Sequence, residues 1–316
     1  MQVRFATLAD TADISAIHCS DVEQWYQVYF DEDGKRNRVP ARWEDCSLIS
    51  RWQMGGPWMS PELCAVHVND MLINEHIVLV AEEDGRVIGE LEIVLGDDAD
   101  YGLNANLSVF YVLKEARGHG IGTALLRDAI DLVREIGCDT LTTYNPDIPA
   151  YYQREGIVHT HTLKQVVVPT SLYPLQKPSR QVKLPPFVQL ADMPMLSGRI
   201  QSSYQTYNLL TSEAAPGFYA IPGGWRPEPY SFAVGSKEQR CMVVLRDPSS
   251  SGIWATAHVW GNDWTSELIP AILTRGKRLG FDVIHFIVME EDVDRFAAYS
   301  PVSINDSTVV HCMNLL

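Results

Sequence analysis

A strand that passes through a glycine-rich turn straight into a helix is the feature that most narrows what this chain can fold into. Residues 108–126 read SVFYVLKEARGHGIGTALL, with glycine at 118, 120 and 122. The helix continues with Leu125, Leu126, Ala129, Leu132, Val133 and Ile136 on one stripe, and Gly137 stops it. Upstream, HIVLVAEEDGRVIGELEIVLG sets two β-branched runs either side of EEDG, whose Asp84-Gly85 pair suits a tight hairpin turn. Downstream, DTLTTYN reads as a strand and PAYYQREG as a short helix ended by Gly156. Two antiparallel strands therefore precede the strand–turn–helix, which separates it from a βαβ dinucleotide-binding unit. The order predicts an α/β chain of the mixed (α+β) kind.

The rest of the chain supplies the organisation. VRFAT predicts a short strand, and LADTADISAIHCSDVEQWYQVYF a helix over 8–30 after a cap at Thr7 or Asp10. Residues 31–75, with Trp43, Trp52 and Trp58, read as broken helices and loops. The stretch 169–186 holds five of the 18 prolines, which rules out a central strand or a long helix and marks a linker or strap. Beyond it the element order repeats. FVQLADMPMLSGRIQSSYQTY echoes the start, CMVVLRDPSSSGIWATAHVWG echoes the hairpin, and SELIPAILTRGKRLGFDVIHFIV echoes the long helix and its following strand. The predicted domains are 1–168 and a degenerate copy at 187–316, joined by 169–186. Residues 1–168 carry 13 Lys/Arg against 27 Asp/Glu, a net of −14, while 169–316 carry 12 against 13, a net of −1. Such a field attracts a cationic partner to the first half, or only keeps the chain soluble.

Several function classes drop out. A formal charge of −15 over 316 residues is a poor match to a phosphate backbone, so no nucleic-acid partner is expected. No apolar run approaches the roughly 20 residues of a membrane span. The start MQVRFATLADTADIS has no apolar segment of the secretory type, so the expected location is cytoplasmic. The six cysteines are widely and irregularly spaced, without a CxxC pair, which predicts free thiols and no metal site. HExxH, GxSxG and GxxxxGK[ST] are all absent.

What the turn can do follows from helix chemistry. The first N–H groups of a helix have no intrahelical partner, and the helix dipole adds positive charge there. Glycines remove the Cβ atoms that would keep a diphosphate off the main chain, and Arg117 adds a permanent cation. The spacing is not GxGxxG, because Ile121 and Leu125 stand where glycine would be needed. Arg117-x-x-Gly120-x-Gly122 instead resembles the (Q/R)xxGx(G/A) acyl-CoA-binding motif of the GNAT N-acyltransferase superfamily. Asn145 at a strand end, followed seven residues later by Tyr152-x-x-x-Gly156-Ile157, is similar to a second motif of that family. The hairpin looks like its second and third strands. The resemblance covers about residues 3–168. Lys114 and Ala116 depart from the proline and aromatic residue the family often has, and the second half has WGNDWTSELIP in place of the loop.

The resemblance implies a mixed, mostly antiparallel sheet flanked by helices, in two tandem GNAT-like domains. It implies acetyl-CoA as cosubstrate, with its pyrophosphate on the N–H groups of Gly118, His119, Gly120, Ile121, Gly122 and Thr123. Arg117 would stand beside it, the pantetheine arm would pair with the edge of the 107–113 strand, Asn145 would be a further cofactor-binding residue, and the backbone at Val112 would polarise the thioester carbonyl. Direct attack by a primary amine, of a small molecule or a peptide, would follow. An alkyl amine with pKa near 10.4 is unprotonated in about one molecule in 2500 at pH 7, so a base is useful. Glu90, Glu92 and Glu115 are nearest in sequence, and Glu90 and Glu92 share one strand face. The alternative for each is a solvated surface acid. Tyr152 is the family's proton donor to the leaving thiolate, and otherwise a packing aromatic. His119 reads otherwise as a surface residue. Trp25, Tyr26, Tyr29, Trp43, Trp52 and Trp58 could line an acceptor pocket or form an apolar lid. The competing reading is a non-catalytic acyl-CoA-binding regulatory or structural protein, and the second half could offer a homodimer surface.

Overall fold

The computed structural model describes residues 1–30, 36–172, 193–199, 203, 230–235, 240–246 and 253–316. Among these, two compact units form, the first from residues up to 95 with 107–136, the second from 96–106 and the described residues from 137 onward.

In the first unit, β1 (Gln2–Phe5) leads into α1 (Thr11–Cys19). Thr7 and Asp10 cap the intervening 3-10 turn, Thr7 accepting from the Ala9 N–H and Asp10 accepting from the Thr7 N–H. The helix predicted over 8–30 ends at Cys19, and the expectation fails beyond it. Trp25–Phe30 is a strand, β2, paired antiparallel with β3 (Arg36–Ala41). Aromatic and β-branched side chains in WYQVYF favour the pleated surface over a helix. The region expected to be broken is also more regular, with α2 (Leu48–Trp52) and a continuous 13-residue α3 (Pro61–Ile73). Ser60 caps α3 by accepting from the Leu63 N–H, and Pro61 stands at its first position.

The hairpin forms as predicted from β4 (Ile77–Glu83) and β5 (Arg86–Asp98), with Asp84 and Gly85 at φ 51° and 79° in the turn. Next come β6 (Gly102–Val112) and α4 (Ile121–Ile136). The sheet order in this unit is β1-β4-β5-β6. The predicted stripe of α4 is buried at Leu125, Leu126, Ala129 and Val133, whereas Ile136, in the last turn, is 43% exposed. A Cβ on Gly89 of β5 would stand 2.8 Å from Leu125 Cδ1 and 3.2 Å from Ile121 Cγ2. Gly89 thereby lets the first turn of α4 press onto the sheet.

The second unit holds the opening residues of β6 with β7 (Thr140–Tyr144), α5 (Pro149–Arg154), β8 (Val158–Pro169), β9 (Met195–Ser197), β10 (Tyr230–Gly235), β11 (Arg240–Arg246), β12 (Trp254–Trp260), α6 (Leu268–Leu279), β13 (Val283–Val288) and β14 (Ser303–Asn314). The strand order is β6-β7-β14-β8-β13-β12-β11-β10, with β9 also on β12. The echoed hairpin (β11, β12) and the echoed helix and strand (α6, β13) are present. The echo expected from residue 187 lies mostly outside the described residues, as does most of the expected linker.

The compact units do not follow the division at 169–186. The last strand of the chain, β14, pairs antiparallel with both β7 and β8, and β8 pairs with β13 on its other edge. Each half of the sequence thus lends a strand to the other, so backbone hydrogen bonding cuts across the proline-rich stretch. Phe232, Val243, Ala257, Leu268, Ile272, Phe286 and Phe296 form the core of this unit.

Candidate active site

The glycine turn has the geometry its sequence asks for. Gly118 and Gly120 sit at φ 82° and 85°, in the left-handed region where a side chain costs about 1–2 kcal/mol. A Cβ at either position would meet nothing within 4 Å, so open space faces the main chain there. The first intrahelical bond of α4 runs from the Ala124 N–H to the Gly120 carbonyl, 3.0 Å. The N–H groups of Ile121, Gly122 and Thr123 stand ahead of it at the positive end of a 16-residue helix. A turn of this kind can take a phosphate against its backbone, and the residues present fit that group.

Arg117 is held rather than loose. Its Nε donates to the Val112 carbonyl at 2.8 Å, and its guanidinium pairs with Asp21. His119 is exposed, its Nδ1 3.3 Å from the Ala116 carbonyl. Just past α1, Ser20 Oγ accepts from the Lys114 N–H at 3.1 Å. The segment 18–21 therefore braces the turn from one side.

That same segment reaches the two carboxylates. Glu90 and Glu92 do share a strand face, but they are 0% and 1% exposed, so the solvated-acid alternative does not describe them. His18 Nε2 lies 2.5 Å from Glu90 Oε2. His67 Nε2 of α3 lies 2.9 Å from both oxygens of Glu92, and Trp58 Nε1 donates to Glu92 Oε1 at 2.8 Å. The His18 ring stacks on Trp58 at 5.1 Å and faces Tyr111 of β6 at 4.2 Å. Tyr111 is 39% exposed and carries the cluster to the surface next to Val112.

The two acids are driven apart. Burial, then the neighbouring Glu92, raises the Glu90 carboxyl well above the usual range. Burial works the same way on Glu92, but His67 and Trp58 outweigh it and hold Glu92 below that range. Burial likewise opposes the charge on His67, and Glu92 more than offsets it, so His67 is raised. Burial pushes His18 down to about 4. The cluster thus sets a Glu92–His67 pair, each favouring the other's charged form, beside a Glu90 biased toward its protonated form and a neutral His18. Sequence reasoning missed both histidines, whose separations from their acids are 72 and 25 residues.

Other candidates fall elsewhere. Glu115 is exposed on the turn Lys114–Ala116. Two of the aromatics are covered by the chain's own arginines, Arg38 over Tyr26 at 4.6 Å and Arg51 over Trp43 at 3.7 Å. Asn145 and Tyr152 belong to the second unit. Asn145 stands at φ 47°, and its side chain is committed to the backbone of β14, accepting from the Val309 N–H at 2.6 Å. Tyr152 is 9% exposed, packs edge-on against Tyr151 and has its phenol pushed up to about 12 by burial, so it keeps its proton at neutral pH.

Among the described residues no cluster of metal-binding side chains occurs, and no helix is long and apolar enough to cross a membrane. No curated protein matches the sequence. Among solved structures, a GCN5-related N-acetyltransferase from Kribbella flavida matches with TM-score 0.56 at 11% identity, covering 99% of this chain and 72% of its own. A putative acetyltransferase from Pyrococcus horikoshii matches with TM-score 0.51 at 14% identity, covering 99% and 89%. A ribosomal-protein-alanine N-acetyltransferase from Brucella melitensis is 24% identical over 52% of this chain and 88% of its own, with TM-score 0.37. The first two speak to fold, and their near-complete coverage fits tandem GNAT-like domains. The family model described as acetyltransferase (GNAT) family matches residues 22–156. The hairpin, the glycine turn and its helix thus lie inside the stretch, residues 22–156, that the acetyltransferase (GNAT) family model matches.

Proposed function

We propose that the chain transfers an acetyl group from acetyl-CoA to a primary amine by direct attack. The observation that carries this is the turn at 117–123, where two left-handed glycines open a helix N-terminus onto free space. The pyrophosphate would rest on the N–H groups from Gly118 to Thr123, with Arg117 at its edge. The backbone beside Val112 would polarise the thioester carbonyl. The attacking amine must shed a proton, and the buried pair Glu90 and Glu92 is the candidate acceptor. Tyr152, on the strength of its motif, is the candidate donor to the leaving sulfur. The acidic first half favours a cationic acceptor, a small polyamine or a peptide amine.

The test is release of free CoA thiol from acetyl-CoA in the presence of a panel of primary amines that includes butane-1,4-diamine and lysine-containing peptides. Amine-dependent release, reduced about 100-fold or more in Tyr152→Phe while acetyl-CoA binding survives, is the expected result. Binding of acetyl-CoA with no amine-dependent release across the panel would favour a non-catalytic binder. Turnover indifferent to Tyr152→Phe would remove the tyrosine from the mechanism.

A further inference from the structure

The two buried acids do different work. Glu92 is tied by three short contacts, two to His67 and one to Trp58. Glu90 has one strong partner, His18, at 2.5 Å, and it adjoins Glu92. Neither carboxylate is open to an incoming amine, since both are at or below 1% exposure. His18 lies between Glu90 and the ring of Tyr111, the residue of the cluster that reaches solvent on β6. We propose that Glu90 and His18 form a proton-exchange dyad serving the acceptor amine, while Glu92 is a fixed anion that positions the dyad and does not itself exchange protons. This rests on the acetyl-transfer reading of the site.

With Glu90 ionised, it accepts the His18 Nε2–H, which leaves the imidazole able to take a proton at Nδ1. An N–H bond of the acceptor ammonium breaks and its proton reaches His18, itself 3% exposed, through a water beside Tyr111, as His18 passes the Nε2 proton to Glu90. The amine lone pair then forms the bond to the thioester carbonyl carbon, the C–S bond breaks, and the sulfur departs as the thiol, taking up the second proton that the acylated nitrogen loses. The dyad returns the gained proton to water after the product leaves.

The groups that face the dyad set when it is ready. From β5, Glu92 raises the cost of ionising Glu90. Just past α1, Asp21 stabilises a charged His18, while Cys19, at the end of that helix, is held as a thiol by burial. From α3, the charged His67 disfavours a second cation on His18, and Cys64 is held as a thiol by burial and by both acids. Glu90 thus ionises only above the usual carboxylate range, so the rate should climb with pH across that ionisation.

Infrared difference spectra of the full chain over a pH series test the assignment without any ligand. A protonated buried carboxylic acid should titrate above the usual carboxylate range, vanish in Glu90→Gln, and titrate lower than in the wild type in Glu92→Gln. In ¹⁵N-histidine spectra the ring identified by His18→Asn should respond to the Glu90 ionisation. Acetyl transfer to butane-1,4-diamine should lose its pH-dependent limb, with kcat/KM down about 100- to 1000-fold, in Glu90→Gln, whereas Glu92→Gln should keep the limb and move it to lower pH. A Glu90 that titrates within the usual carboxylate range in the wild type, or a high-titrating acid that survives unchanged in Glu90→Gln, overturns the proposal even if the diamine is not turned over. Failure of acetyl-CoA to bind, measured separately by calorimetry, would remove the acetyl-transfer reading itself.

Discussion

The two halves of the sequence each run a strand into a long helix, and the two helix starts could hardly be built more differently. At the start of α4, glycines at φ 82° and 85° leave the backbone bare, and no acid stands in the first turn. Before α6, the matching stretch carries Asp263, Trp264 and Glu267, and Glu267 is the cap residue. Asp263 Oδ1 accepts from the Trp264 N–H at 2.7 Å, and Trp264 packs edge-on to Phe296 at 5.5 Å. One helix start keeps its dipole free for an anion. The other has spent the position on core packing and set negative charge beside it. A duplicated element order therefore does not carry a duplicated helix start, because the open backbone here depends on Gly118 and Gly120 and the space in front of them.

The contrast can be broken in graded ways. Trp264→Ala should cost about 3–5 kcal/mol in chemical unfolding, because it empties a buried aromatic site, and should leave acetyl-CoA affinity unchanged in the folded fraction. Loss of affinity there would mean the second start also serves the ligand. Gly120→Val should weaken acetyl-CoA binding about 100-fold, near 2.7 kcal/mol, by filling the space before the N–H groups and straining the turn, while far-ultraviolet circular dichroism stays unchanged. Gly89→Ala should destabilise by about 1–3 kcal/mol through the contacts with Leu125 and Ile121, and should also weaken binding, since it displaces the first turn of α4. Arg117→Ala should cost about tenfold in affinity with stability changed by less than about 1 kcal/mol, as expected for an ion pair whose arginine is 45% exposed.

The smallest effect is one the two halves share. His18 in the first unit is held down to about 4 and His258 in the second to about 3, both chiefly by burial. Their folded values lie below the unfolded one, so the unfolded chain binds more protons below pH 6.5 and stability falls as pH falls from there. At pH 5.5 each should cost about 1 kcal/mol relative to neutral pH, read as a drop in Tm that is smaller in His18→Asn or His258→Asn. A Tm that rises on acidification would show these rings are charged in the fold.

Local chemistry was legible and long-range partnership was not. The hairpin, the turn, α4, α6 and β13 could be read because each announces itself within about twenty residues through alternation, a stripe or a glycine stop. The end of α1 was not legible, because Ser20 closes it without a glycine or proline and the aromatics of β2 fit a helical stripe as well as a strand. The insertion of β14 between β7 and β8 joins residues at least 136 apart, and nothing in either strand names its partner. Glu90 and Glu92 could be picked out as acids on one face, but their burial and their histidines come from α1 and α3 folding over the sheet. Asn145 shows the converse, a motif residue whose side chain turns out to hold a backbone strand.

The central claim is that one helix start in this chain binds acetyl-CoA and the other does not. Calorimetric titration of the full chain with acetyl-CoA, alone and with Gly120→Val, tests it most directly. One site per chain in the wild type, lost or weakened about 100-fold in the variant, is the predicted result. Two sites per chain, no site in a folded CoA-free sample, or one site indifferent to Gly120→Val would contradict it.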